Sequence, residues 1–110
     1  MGISLEKIEK WERKKNAKKL IRALGVDSVE IRVRAIRALS SIDDPEIINY
    51  LVHLLRDEEP EIRLASVETL GVIGSGRSVE FIRAMLEKEN ETKVIEAAKG
   101  ALVQIKEKIK

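Results

Sequence analysis

The sequence predicts an all-α fold, an α-α superhelix of about three helical hairpins behind an N-terminal cap helix, and three observations carry that expectation. Ile31-Arg32-x-x-Ala35-x-x-Ala38-Leu39-x-x-Ile42 recurs as Ile62-Arg63-x-x-Ser66-x-x-Thr69-Leu70-x-x-Ile73 and, more loosely, as Val94-Ile95-x-x-Ala98-x-x-Ala101-Leu102-x-x-Ile105. The offsets are 31 and 32 residues, a period at which one helical unit stacks on the next in a solenoid. Charged residues make up 36% of the 110-residue chain and aromatics 3%, so Leu, Ile, Val and Ala must fill nearly all the buried volume, as stacked helices allow.

Each element follows from its residues. A cap helix over 4–14 places Leu5, Ile8 and Trp11 over the first hairpin, and a break is expected near Lys15. The first outer helix, 16–24, buries Ala17, Leu20 and Leu24. The first inner helix, 28–42, carries the apolar stripe of the motif, with small Ala35 and Ala38 admitting a close neighbour. The next outer helix, 45–57, and its counterpart, 77–88, align at 31 residues, pairing Ile48 with Val79, Tyr50 with Phe81, Leu51 with Ile82 and Leu55 with Leu86. The remaining inner helices span 60–73 and 91–108. Asp44 before Pro45, Glu59 before Pro60, and Asn90 before Glu91 supply capping acceptors or a proline at helix starts. Gly25, Gly74 and Gly76 supply left-handed stops. The repeats cover about 15–43, 44–74 and 75–106, within one domain over 1–110.

Val33 and Ile36, then Leu64 and Val67, form a second apolar face that a following repeat should cover. The third copy has Glu96 and Lys99 there, so its helix reads as a terminal cap, with Val103 the apolar exception. A mostly monomeric protein is expected. With a charged start and no long apolar run, neither a secretory leader nor a membrane span is predicted, and a cytoplasmic location is the expectation. The absence of cysteine excludes disulfides and thiolate metal sites. Abundant Lys, Glu and Ile with few Asn and Gln resemble heat-adapted compositions.

The motif Val/Ile-Arg-x-x-Ala-x-x-Ala-Leu-Gly-x-Ile, preceded by an outer helix and an Asp-Pro or Glu-Pro turn, resembles the HEAT repeat, in the short variety also found in phycobiliprotein-lyase-like proteins. Residues 60–73, including Gly71, match most closely, and the resemblance covers about 15–106. It implies that second helices line a concave face and that Arg32 and Arg63 tie successive layers together; Ile95 departs from that pattern.

The formal charge of +2 hides an asymmetry. Residues 1–40 carry a net +6 and residues 41–110 a net −4. Helical geometry puts Arg34, Arg37 and Ser41 on the expected concave face, followed by Ala65, Glu68 and Val72, then Ala97, Gly100 and Gln104. Such a face suits a protein partner with an acidic patch or an acidic helix, although the same residues also read as a solvated surface. Lys14, Lys15, Lys18, Lys19 and Arg22, with Arg13, form a basic run attractive to phosphate backbones. They also occupy the polar side of an amphipathic helix, and the groove lacks aromatic platforms for single strands.

Catalysis finds little support. His53 is the only histidine, without the repeated His-Glu pairs of HEAT-like iron hydroxylases. Ser40, Ser41, Ser66, Ser75 and Ser78 lack a His-carboxylate relay, and Gly74-x-Gly76 is too short to cradle phosphate. Chromophore handling, raised by the lyase-like relatives, would need a large pocket that a short array does not offer. No metal or cofactor is therefore expected. The reading is a non-enzymatic protein-protein interaction scaffold, with electrostatic nucleic-acid binding as the alternative.

Overall fold

Stretches with apolar residues every three or four positions form seven α-helices among residues 2–109, the part of the chain that the computed structural model describes. They are α1 (Leu5–Arg13), α2 (Ala17–Ala23), α3 (Val29–Ala38), α4 (Glu46–Leu54), α5 (Pro60–Ile73), α6 (Val79–Lys88) and α7 (Thr92–Lys108). Short 3-10 turns prolong α3 through Leu39–Ser41 and precede α6 at Gly76–Ser78.

The helices form two layers. α3 lies between α1 and α5, and α5 lies against α7. Behind them, α2 packs on α3, α4 on α5 and α6 on α7. The slab is 17 Å thin along its shortest axis and 39 Å along its longest, as two helix layers roughly 8–10 Å apart require. Helix α1 extends the inner layer and covers the first hairpin, burying Ile8 completely and Trp11 in part.

The break between α1 and α2 falls at Lys15, whose φ of 53° puts a residue with a Cβ in the left-handed region, at a cost of roughly 1–2 kcal/mol. Asn16 then caps α2, its Oδ1 accepting from the Lys19 amide at 3.1 Å. Of the three expected glycine stops only Gly74 adopts a positive φ, 76°, ending α5. The caps differ from expectation in detail. Glu59 and Asn90 supply no capping bond, and Glu91 rather than Asn90 precedes α7. The turns are held instead by Asp57 Oδ2, which accepts from the Glu59 amide at 3.0 Å, and Glu89 Oε2, which accepts from the Glu91 amide at 3.2 Å. A side-chain oxygen that bonds an amide two residues on fixes a turn without occupying the cap position.

Those two carboxylates are also the anchors of the layer-tying arginines. Arg32 donates to Asp57 Oδ1 at 2.7 Å and to the Leu24 carbonyl at 2.9 Å. Arg63 grips Glu89 with two bonds, 2.8 and 2.9 Å, and also donates to the Asp57 and Glu58 carbonyls. Burial pushes the Asp57 carboxyl up, but the Arg32 hydrogen bond, the Glu59 amide and the charges of Arg32 and Arg63 outweigh it and leave the group below its ordinary value. The Arg63 hydrogen bond does the same for Glu89, against burial, and Glu89 in turn raises Arg63. Both arginines thus join one hairpin to the next, as the motif implied.

Leu39 and Leu70 are fully buried, within one continuous cluster running from Ile8 to Ile105. Leu102, the third member of that series, is half-buried because no further helix packs beyond α7 among the described residues. Glu96 and Lys99 are exposed there, whereas Ile36 and Val67, the counterparts of Lys99, are fully covered and Val33 and Leu64, the counterparts of Glu96, are partly buried. Ser66 is buried with its hydroxyl unpartnered, at a position where the other two copies carry Ala35 and Ala98.

Candidate functional site

The free face of the inner layer is a shallow groove that crosses α3, α5 and α7. A recess of about 380 Å³ lies in it, lined by Arg37, Ser40, Glu68, Thr69, Val72 and Gln104. All six lie within the three copies of the inner-helix motif, with Ser40 three positions after Arg37 and Val72 three and four after Thr69 and Glu68, as one helical face demands. Four of the six expected partner-binding residues, Arg37, Glu68, Val72 and Gln104, meet here.

Arg34 and Ser41 do not line the recess. Arg34 reaches back across α1, where its guanidinium bonds Glu12 Oε1 at 2.6 Å. Ser41 is displaced by the tightening of α3 into a 3-10 turn. With about three residues per turn instead of about 3.6, Ser40 rotates toward the groove and Ser41 away from it. The Ser40 hydroxyl donates to the Arg37 carbonyl at 2.8 Å. Ala65, expected on the same face, is fully buried: α5, like α3, is flanked on both sides, and a methyl is too short to extend out as the Arg34 side chain does. Gly100 is exposed with open space around it.

The charges of the groove are largely committed to one another. Arg37 pairs with Glu68 at 3.0 Å across the α3–α5 junction, both side chains being nearly half exposed. Together with the Arg34–Glu12 pair, this neutralises the basic end that the sequence placed on the groove. Neither Glu12 nor Thr69 was legible as a groove residue: Glu12 lies on the cap helix, outside the repeat. The apolar point of the groove is Val72, 53% exposed, whose carbonyl accepts from Lys108 Nζ at 3.2 Å.

The basic run stands apart from this recess, at the end of α1 and on α2. Lys14, Lys15, Lys18, Lys19 and Arg22 are all exposed. Lys15 Nζ donates to the Ser41 carbonyl at 3.2 Å, and Lys19 Nζ lies 5.7 Å from the Trp11 ring centroid, a cation–π contact.

The sequence profile of HEAT repeats matches residues 17–103. The chain belongs to the HEAT repeat family. The α2–α3, α4–α5 and α6–α7 hairpins are its HEAT units, and α1 lies ahead of the matched segment. A 62-residue stretch is also 42% identical to an uncharacterized phycocyanin operon protein Z of Pseudanabaena tenuis. That match takes in 56% of this chain and 30% of the relative, so the chain spans less than a third of that protein's length. Among the described residues, no helix is long and apolar enough to cross a membrane.

Proposed function

We propose that this HEAT protein is a non-enzymatic interaction module, acting as a monomer in the cytoplasm, whose inner-layer groove receives a segment of another protein. The observation that carries the reading is Val72. It is an exposed apolar side chain in a recess, bordered by Gln104 on one side and the Arg37–Glu68 pair on the other. An apolar contact point inside a polar rim is the usual anatomy of a protein interface. A partner carboxylate enters by exchanging with Glu68 at Arg37, an exposed pair that holds little energy of its own. Acidic partners are therefore accommodated through competition, and the groove offers them no ready-made positive field.

A photo-crosslinking residue at Val72, with a second protein carrying it at Lys99 as control, tests the assignment in lysate of the native organism. The expected result is a discrete adduct formed from position 72 and absent from position 99, strengthened by Glu68→Ala, which frees Arg37, and weakened by Arg37→Ala. Equal labelling from both positions would refute it. The exposed Lys14, Lys18, Lys19 and Arg22 support the nucleic-acid alternative. Retention on arbitrary duplex DNA that falls steeply with salt and vanishes in a Lys18→Glu, Lys19→Glu protein would put that alternative first.

A further inference from the structure

The outer layer carries a second concavity that the repeat pattern does not advertise. Helix α4 rests on the turn Gly76–Ser78 more than on α6 itself, and a cleft opens where the two helices stand apart. It holds two recesses, of about 660 and 370 Å³, which share Val52, Arg56 and Phe81. Both volumes fall within the range of roughly 300–1,000 Å³ typical of ligand pockets. The larger is floored by Leu55 and Met85 and the smaller by Ile48, all three buried. Phe81, 49% exposed, stands in the wall between them.

The charge around this cleft is the opposite of its surroundings. Beyond residue 40 the chain carries a net −4, yet the carboxylates lining the cleft are mostly spent: Asp57 is held by Arg32 and Glu89 by Arg63. Glu87 is the one lining acid without a cation against it among the described residues. Against it stand three cations with no carboxylate partner among those residues. Arg56 and Lys88 make no ion pair, and Arg77 donates only to neutral oxygens, Asn49 Oδ1 at 3.1 Å and the Pro45 carbonyl at 3.4 Å. An apolar floor between unpaired cations is the complement of an amphipathic segment with an apolar stripe and carboxylate flanks.

We propose that the α4–α6 cleft docks a short amphipathic helix of a protein partner, its apolar side chains on Val52, Phe81 and Met85 and its carboxylates toward Arg56, Arg77 and Lys88. The ten residues of α6 give the cleft a length of roughly 15 Å, which matches about three turns of the incoming helix. The site is separate from the inner-layer groove, and the two assignments stand or fall independently.

The test uses the full chain, isotope-labelled for amide NMR, and three synthetic helices of roughly three turns. One has leucines along one face and glutamates on the flanks, the second replaces glutamate with lysine, and the third replaces leucine with serine. The leucine-glutamate peptide is expected to shift amides within 48–56 and 77–88, and the other two to leave them in place. Phe81→Ser and Arg56→Glu should each weaken binding about tenfold, while Val72→Glu in the inner groove should leave it unchanged. Because Arg56 is exposed and its side chain makes no bond, its variant remains informative if Phe81→Ser fails to fold. The proposal is overturned if the lysine peptide binds as well, or if shifts map to the inner groove. It is equally overturned if an oligonucleotide or anionic vesicles reproduce the shifts without the apolar face, or if the same amides shift on concentrating the protein alone.

Discussion

The α3–α5 and α5–α7 junctions are built from the same motif but are closed in different ways along the groove. At α3–α5 the groove edge is bridged by an ion pair, Arg37 with Glu68, both half in water. At α5–α7 it is closed by backbone proximity: a Cβ added to Gly71 would meet Gln104 Oε1 and come within 3.0 Å of Ala101 Cα and Cβ. On the opposite edge both junctions keep the same device, an arginine on a carboxylate two residues before the cap of the next inner helix. The difference shows where a repeat is constrained. The edge that carries the arginine clamps is duplicated, and the edge along the groove has diverged.

Truncations of the core leucines should give the largest effects and test whether the terminal copy is as constrained as the others. Leu39→Ala and Leu70→Ala, at fully buried positions, should each lose about 2–5 kcal/mol in denaturant titrations. Leu102→Ala, at a half-buried position, should lose clearly less. Next comes the proximity of α5 and α7. Gly71→Leu forces a side chain against Ala101 and should cost about 1–3 kcal/mol, whereas Ser40→Leu at the equivalent place on α3 should cost less, since Ser40 borders open groove. A larger loss from Ser40→Leu would reverse the comparison.

The clamps yield a pH signature. Asp57 and Glu89 are held below the ordinary carboxylate value when folded, so the unfolded chain binds more protons as acid is added. Their stabilisation is complete above the unfolded pKa near ~4 and is lost as pH falls through the depressed folded values. Melting temperature should therefore drop from about pH 5 downward, and Glu89→Gln, which should cost about 1–3 kcal/mol at neutral pH, should make that drop shallower. Ser66→Ala should raise stability by about 1 kcal/mol by removing a buried hydroxyl without a partner. The smallest effect is expected at the exposed groove pair. Arg37→Ala should change stability by less than about 0.5 kcal/mol while altering recognition at the groove.

Much of this molecule was legible because helical periodicity is a local property. The break at Lys15 and the buried Leu39 and Leu70 follow from spacing along one helix or from the repeated motif, and the roles of Arg32 and Arg63 from the resemblance to the HEAT repeat. Ala65 defeated that reading. Its place on the wheel matches Arg34, but between flanking helices its methyl group is enclosed where the longer arginine reaches out to Glu12. Ser41 gave way to Ser40 because a terminal turn tightened, a change of about 20° per residue that no repeat offset records.

The sequence alone therefore determined the helices, their pairing and the core stripe, since each depends on residues a fixed number of positions apart, while the resemblance to the HEAT repeat implied the arginines that fasten one hairpin to another. Only the tertiary structure decided that Arg34 and Arg37 are already partnered, that Gly71 lies against Ala101, and that a cation-edged cleft opens between α4 and α6. Those features are distances between helices, set by how whole side chains pack across a junction, and one-dimensional spacing does not contain them.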